Sequence, residues 1–199
     1  MRPIVFLPGA GGRADFWRPV AERLGDLGPA TLIGWPGFGG APADPTIRGL
    51  DDLHRWLLLR LPDGPLDLVA QSMGGVLAAR LAIEHPERVR RLALAATSGG
   101  VDVSALGGAD WRAEYRAALP DVPDWFITDR TELTDRLGEI RAPTLLLWSD
   151  SDPISPLAVS DLLLARIPTA RRALIAGGSH SFAQERPDEV AALLREFLR

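Results

Sequence analysis

Six short apolar runs recur along this 199-residue chain: residues 3–7, 30–34, 66–70, 91–95, 144–148 and 172–175. Each is too short to be a helix, and together they read as strands buried in a sheet. Between them the apolar residues change period. Phe16, Trp17, Val20, Ala21, Leu24 and Leu27 mark one face of a helix, as do Leu50, Leu53, Trp56, Leu57 and Leu61. Val76, Leu77, Leu81 and Ile83 mark a third, residues 156–166 a fourth, and Val190, Leu193, Leu194 and Phe197 a last helix beginning near Glu185. Strands alternating with helices predict an α/β chain: a six-stranded, mostly parallel sheet with helices on both faces, joined by right-handed crossovers. Chemistry on such sheets collects at the carboxyl ends of the strands. The loops after residues 7, 70, 148 and 175 therefore share one rim.

The length fits one domain over 1–199. One stretch departs from the alternation. From about 98 to 140, Gly99-Gly100, Gly107-Gly108, Pro120 and Pro123 break up segments that hold Trp111, Tyr115, Trp125 and Phe126. About forty residues seldom make a core unaided, so this reads as a short lid insert. Its aromatic residues either face a substrate or glue the insert to the body.

Absences narrow the chemistry. There is no cysteine, which removes disulfides, a thiolate nucleophile and cysteine metal sites. There is no lysine either, which removes Schiff-base chemistry and a Walker-type phosphate loop. The Gly9-Ala10-Gly11-Gly12 loop has neither that lysine nor dinucleotide spacing. No cofactor and no metal are expected. A net charge of -4 argues against nucleic acid or an anionic membrane as partner. Without an apolar run of membrane-spanning length or a signal-peptide core, the expected location is cytoplasmic.

The sharpest local signal is Ala70-Gln71-Ser72-Met73-Gly74, where a strand meets a helix. A serine at so tight a turn is strained with its hydroxyl exposed, and small residues two before and two after it let the backbones pass. A serine hydroxyl needs a base, and the base needs a group that fixes its tautomer. Of the three histidines, only His180 lies at the end of a strand. His85 falls at the far end of the helix after Ser72, and His54 lies among charges on what reads as a wet helix face. The orienting carboxylate is Asp150 or Asp152, both in the loop after the fifth strand.

The order serine, acid, histidine, with the serine on a strand-turn-helix, resembles the α/β-hydrolase superfamily over nearly the whole chain. In that family the acid follows a pattern like Trp-Gly-x-x-Asp-x-x-x-Pro, which Trp148 to Pro156 matches and which selects Asp152. Gly178-Ser179-His180 is similar to the family's histidine loop, and Trp35-Pro36-Gly37-Phe38-Gly39 to its Asp-x-Pro-Gly-x-Gly loop without the acid. The resemblance implies backbone N–H groups of Ala10 and Met73 as the oxyanion hole. It also implies departures: Pro8-Gly9 stands where the family has His-Gly, the two strands usually first are absent, and the lid is short.

The expected reaction is acyl transfer from a small or medium ester, or thioester, to water. Ser72 is the nucleophile, His180 the base and Asp152 its partner. Phe38, Trp111, Trp125, Phe126 and Phe182 are candidates for an apolar acyl pocket. Cofactor-free C–C hydrolysis, lyase or perhydrolase chemistry on the same triad is an alternative, and a non-catalytic ligand-binding member is another. The sequence does not specify an oligomeric state.

Overall fold

A computed structural model describes residues 2–199. The sheet has six strands: β1 (Ile4–Leu7), β2 (Ala30–Leu32), β3 (Leu66–Gln71), β4 (Val89–Ala95), β5 (Thr144–Ser149) and β6 (Ala170–Ile175). Their order is β2-β1-β3-β4-β5-β6 and every pair is parallel. The chain runs outward from β1 to β2 and then crosses back to lay β3 on the other side of β1. At that reversal the loops leaving β1 and β3 diverge, which opens the crevice where ligands settle in sheets of this kind.

Alternation along the strands divides the core into two layers. Val5, Leu7, Leu68, Ala70, Leu94 and Leu146 face α2 (Leu50–Leu58), α3 (Met73–Glu84) and α6 (Leu157–Arg166). Ile4, Phe6, Val69, Ala93, Leu145 and Leu147 face α1 (Arg18–Arg23) and α8 (Pro187–Leu198). Trp17, Trp35 and Trp148 are fully buried, each contributing on the order of 2–3 kcal/mol of apolar burial. The first helix is shorter than its apolar spacing suggests. A 3-10 turn over Ala14–Trp17 precedes α1, and single turns carry Leu24 and Leu27. The last helix is likewise split, with a four-residue α7 (Phe182–Glu185) before α8, because Pro187 starts a new first turn. No helix among the described residues is long and apolar enough to cross a membrane.

Between β4 and β5 the chain makes a 3-10 turn at Ser104–Leu106, then α4 (Arg112–Ala118) and α5 (Asp124–Thr128), and a further 3-10 turn at Thr134–Glu139. Leu133 donates its N–H to Gly100 O at 2.7 Å, closing the base of the loop. Beyond it Leu137 and Ile140 are buried in the body. The loop so closed spans 101–132, and Val101 and Val122 within it pack into the same core as Leu137 and Ile140.

His54 corrects the sequence reading. It is 2% exposed, on the face of α2 turned toward α3. Its ring stacks on His85 at 6.3 Å, Nδ1 lies 3.6 Å from Glu84 Oε2, and Nε2 is buried with no hydrogen-bond partner among the described residues. Burial first, then the Arg80 charge, outweigh Glu84 and push its pKa down to about 4. The folded protein therefore keeps a neutral imidazole where the unfolded chain protonates near 6.5. Between those values the unfolded state binds the extra proton, so stability falls as pH falls. In urea unfolding at pH 7 and pH 5, the loss of stability between the two is expected to be smaller in His54→Leu than in the parent by about 2 kcal/mol. An equal loss in both proteins would contradict this.

Candidate active site

β3 ends at Gln71 and α3 begins at Met73, so Ser72 alone carries the reversal, with φ 52° and ψ -121°. A non-glycine residue held there stores about 1–3 kcal/mol. Three hydrogen bonds hold it: Ser72 N–H to Ala95 O (3.1 Å), and to Ser72 O from Thr97 Oγ1 (2.6 Å) and Gly75 N–H (2.9 Å). The requirement for a small residue at 74 has a direct cause. A Cβ on Gly74 would sit 2.5 Å from Pro8 O, inside the loop leaving β1.

From this turn Ser72 Oγ reaches His180 Nε2 at 3.0 Å, and His180 Nδ1 reaches Asp152 Oδ2 at 2.7 Å. A carboxylate facing Nδ1 favours the proton there, which leaves Nε2 to accept the serine O–H. The second carboxylate oxygen, Asp152 Oδ1, accepts the N–H groups of Ile154 (2.9 Å) and Ser155 (3.2 Å). Ser155 Oγ donates to Thr97 O at 3.0 Å, so the loop after β5 is tied to the loop after β4, which also holds Ser72. Asp152 is buried, and the chain from carboxylate to hydroxyl opens outward at Ser72.

Asp150 has another task. Its carboxylate accepts Gly177 N–H at 2.6 Å and Ser151 Oγ–H at 2.9 Å, and these hold it below the usual carboxylate range. It joins the loop after β5 to the loop after β6 and leaves the histidine to Asp152. Ser149 Oγ, donating to Gly178 O, makes a second tie between the same loops.

Ser72 and His180 lie in a cavity of about 890 Å³, which Ala10 and Met73 also line. Of the five aromatic residues expected around an acyl pocket, Trp111 and Phe126 line it, stacked at 5.3 Å. The other three do not. Phe38 is 1% exposed and packs behind Phe126 and Trp125, at 5.9 Å and 5.8 Å, with its backbone and Cβ held close against Gly12. Trp125 lies beside it, outside the cavity wall. Phe182 opens α7 and turns into the opposite layer with Trp17 and Val190. Val76, Val101 and Ile154 supply aliphatic wall that the sequence reading did not single out.

Two further residues were missed. Gln71 is buried and donates Nε2–H to His180 O at 3.2 Å. Tyr115 on α4 donates its hydroxyl to Ala10 O at 2.7 Å, and burial pushes the phenol up, so it stays a donor.

Residues 2–134 match the family model for the alpha/beta hydrolase fold. The chain belongs to this family. It is 27% identical to the poly(3-hydroxyalkanoate) depolymerase of Ectopseudomonas oleovorans, over 100% of this chain and 85% of that one. It is 24% identical to a pimeloyl-[acyl-carrier protein] methyl ester esterase of Legionella pneumophila, over 99% and 95%. A hydrolase of Pseudomonas aeruginosa superposes with a TM-score of 0.78 at 20% identity, over 99% of this chain and 89% of that structure. The family match ends before Asp152 and His180, so in this alpha/beta hydrolase fold protein their pairing rests on the distances above.

Proposed function

We propose that this alpha/beta hydrolase fold protein is a serine esterase that cleaves small or medium carboxylic esters through an acyl-enzyme. The observation that carries this reading is the unbroken line from Asp152 through His180 to Ser72 Oγ, ending on a strained turn in an open cavity. Similarity to an ester-cleaving relative and a depolymerase supports the same reaction class.

The steps follow from the geometry. Ser72 Oγ attacks the ester carbonyl carbon as its proton passes to His180 Nε2, and Asp152 stabilises the resulting imidazolium. The carbonyl oxygen, now anionic, accepts the N–H groups of Ala10 and Met73, each worth on the order of 3 kcal/mol at such a site. The C–O bond to the alcohol breaks, and the departing oxygen takes the proton from His180. Water then attacks the acyl carbon, gives its proton to His180, and Ser72 recovers a proton as the acid leaves. The cavity lies within the usual size range of small-molecule sites, and its aliphatic and aromatic wall suits an acyl chain. The reading extends to thioesters and to a cytoplasmic setting.

A fluorophosphonate probe is expected to label the protein stoichiometrically at Ser72, and a short p-nitrophenyl ester to be turned over. Labelling with no ester turnover across a panel of acyl lengths would point to C–C bond or perhydrolase chemistry. Absence of both would leave a ligand-binding protein.

A further inference from the structure

Ser72 shares its unusual backbone with one other residue. Among the described non-glycine residues, only Ser72 and Ala96, which follows the end of β4, have positive φ, at 52° and 44°. Such a conformation persists where the surrounding bonds over-determine it. Ala96 N–H donates to Leu147 O at 3.1 Å, and the residues on either side of Ala96 both grip Ser72. Ala95 O accepts Ser72 N–H at 3.1 Å, and Thr97 Oγ1 donates to Ser72 O at 2.6 Å. The strained turn at 96 thus brings Thr97 back onto the strained turn at 72.

Thr97 is fully enclosed there. Gly99 N–H donates to its Oγ1 at 3.0 Å, and the hydroxyl's one proton goes to Ser72 O. Gly75 is what allows the approach. A Cβ on it would lie 2.4 Å from Thr97 Oγ1 and 2.5 Å from Thr97 Cβ, so the second glycine after Ser72 makes room for this threonine.

The carbonyl that Thr97 holds belongs to the Ser72–Met73 peptide, and so does the N–H of Met73. In a trans peptide the two point opposite ways in one rigid plane, so a bond that fixes Ser72 O fixes the aim of Met73 N–H. Gly75 N–H also reaches Ser72 O, at 2.9 Å, but it comes from within the same turn and moves with it. Thr97 is anchored elsewhere. Its own carbonyl accepts Ser155 Oγ–H at 3.0 Å, from the loop that carries Asp152, so its hydroxyl refers the plane to β4 and to that loop.

We infer that Thr97 is a positioning residue for the Met73 oxyanion donor. The inference rests on the serine esterase reading above, in which that N–H receives the anionic oxygen. Thr97→Val replaces the hydroxyl with a methyl group of similar size and keeps the backbone carbonyl that Ser155 uses.

For a short p-nitrophenyl ester, kcat of Thr97→Val per fluorophosphonate-titrated site is expected to fall by about 10-fold to 100-fold, with KM within about two-fold. Inhibition by an alkylboronic acid, whose tetrahedral serine adduct places an oxygen in the oxyanion hole, should weaken by a similar factor. Thr97→Ser restores the hydroxyl and should keep kcat within about three-fold of the parent. If valine prevents folding, Thr97→Ala takes its place beside Thr97→Ser with the same expected contrast. A parental kcat and boronate affinity without the hydroxyl would overturn the inference, as would a serine variant as impaired as valine or alanine. Failure of the esterase reading looks different: a parent that takes no fluorophosphonate and cleaves no ester defeats that reading. A labelled, active parent with an indistinguishable Thr97→Val defeats only the role of Thr97.

Discussion

Ser72→Ala is expected to lower kcat/KM for a short ester by about 10^5-fold and to abolish fluorophosphonate labelling, with the fold retained. Among the described residues, Ser72 Oγ is the hydroxyl hydrogen-bonded to His180 Nε2, at 3.0 Å, and alanine fills the same space without a nucleophile. A companion variant separates chemistry from strain. Alanine at φ 52° keeps the penalty of the left-handed region, whereas glycine adopts that angle freely. Ser72→Gly should be as inactive as Ser72→Ala yet more stable than it by about 1 kcal/mol in urea unfolding, after the entropy glycine adds to the unfolded chain. An alanine variant that kept the parental rate would remove Ser72 from the mechanism. A glycine variant no more stable than alanine would show the turn to be relaxed.

The elements that the sequence disclosed best are those set by local periodicity. Alternating apolar runs and helical faces specify a parallel sheet, and loops that follow its strands converge on one rim whatever lies between them. That is why the sequence pairs Ser72 with His180, 108 positions away. The choice between Asp150 and Asp152 was a different matter. Both sit in one loop, and what separates them is which backbone N–H groups each accepts: those of Ile154 and Ser155 for one, that of Gly177 for the other. Periodicity carries no such information, so only the family pattern favoured Asp152.

The sequence misleads where direction depends on tertiary packing. His54 lies among charged neighbours in sequence, but α3 covers that face of α2 and encloses the ring. Phe38 and Phe182 follow strands at the reactive rim, yet a loop residue's side chain can turn either way, and both turn into cores. Tyr115 is the chain's one tyrosine, and its hydroxyl is a donor set among the insert's aromatic residues. Its acceptor, Ala10 O, lies 105 positions away and could not be read from spacing.

A loss of several orders of magnitude is also expected from Asp152→Asn. The Ile154 and Ser155 N–H groups face Oδ1 and require an acceptor, so the asparagine carbonyl settles there and its NH2 replaces Oδ2 at His180. That NH2 is a donor aimed at Nδ1, which must then lose its proton and place it on Nε2. The imidazole is left in the tautomer that cannot accept from Ser72. A loss of about 10^4-fold in kcat with little change in KM should follow, without loss of fold. Asp152→Ala would instead strand both N–H groups and should also destabilise the protein by about 1–3 kcal/mol. Asp150→Asn supplies the control. It keeps an acceptor for Gly177 N–H and touches neither His180 nor Ser72, so its kcat should stay within about three-fold of the parent. Should Asp150→Asn prove the damaging change and Asp152→Asn the mild one, the histidine in solution takes its partner from the other end of the loop, and the line of charge drawn through His180 is wrong.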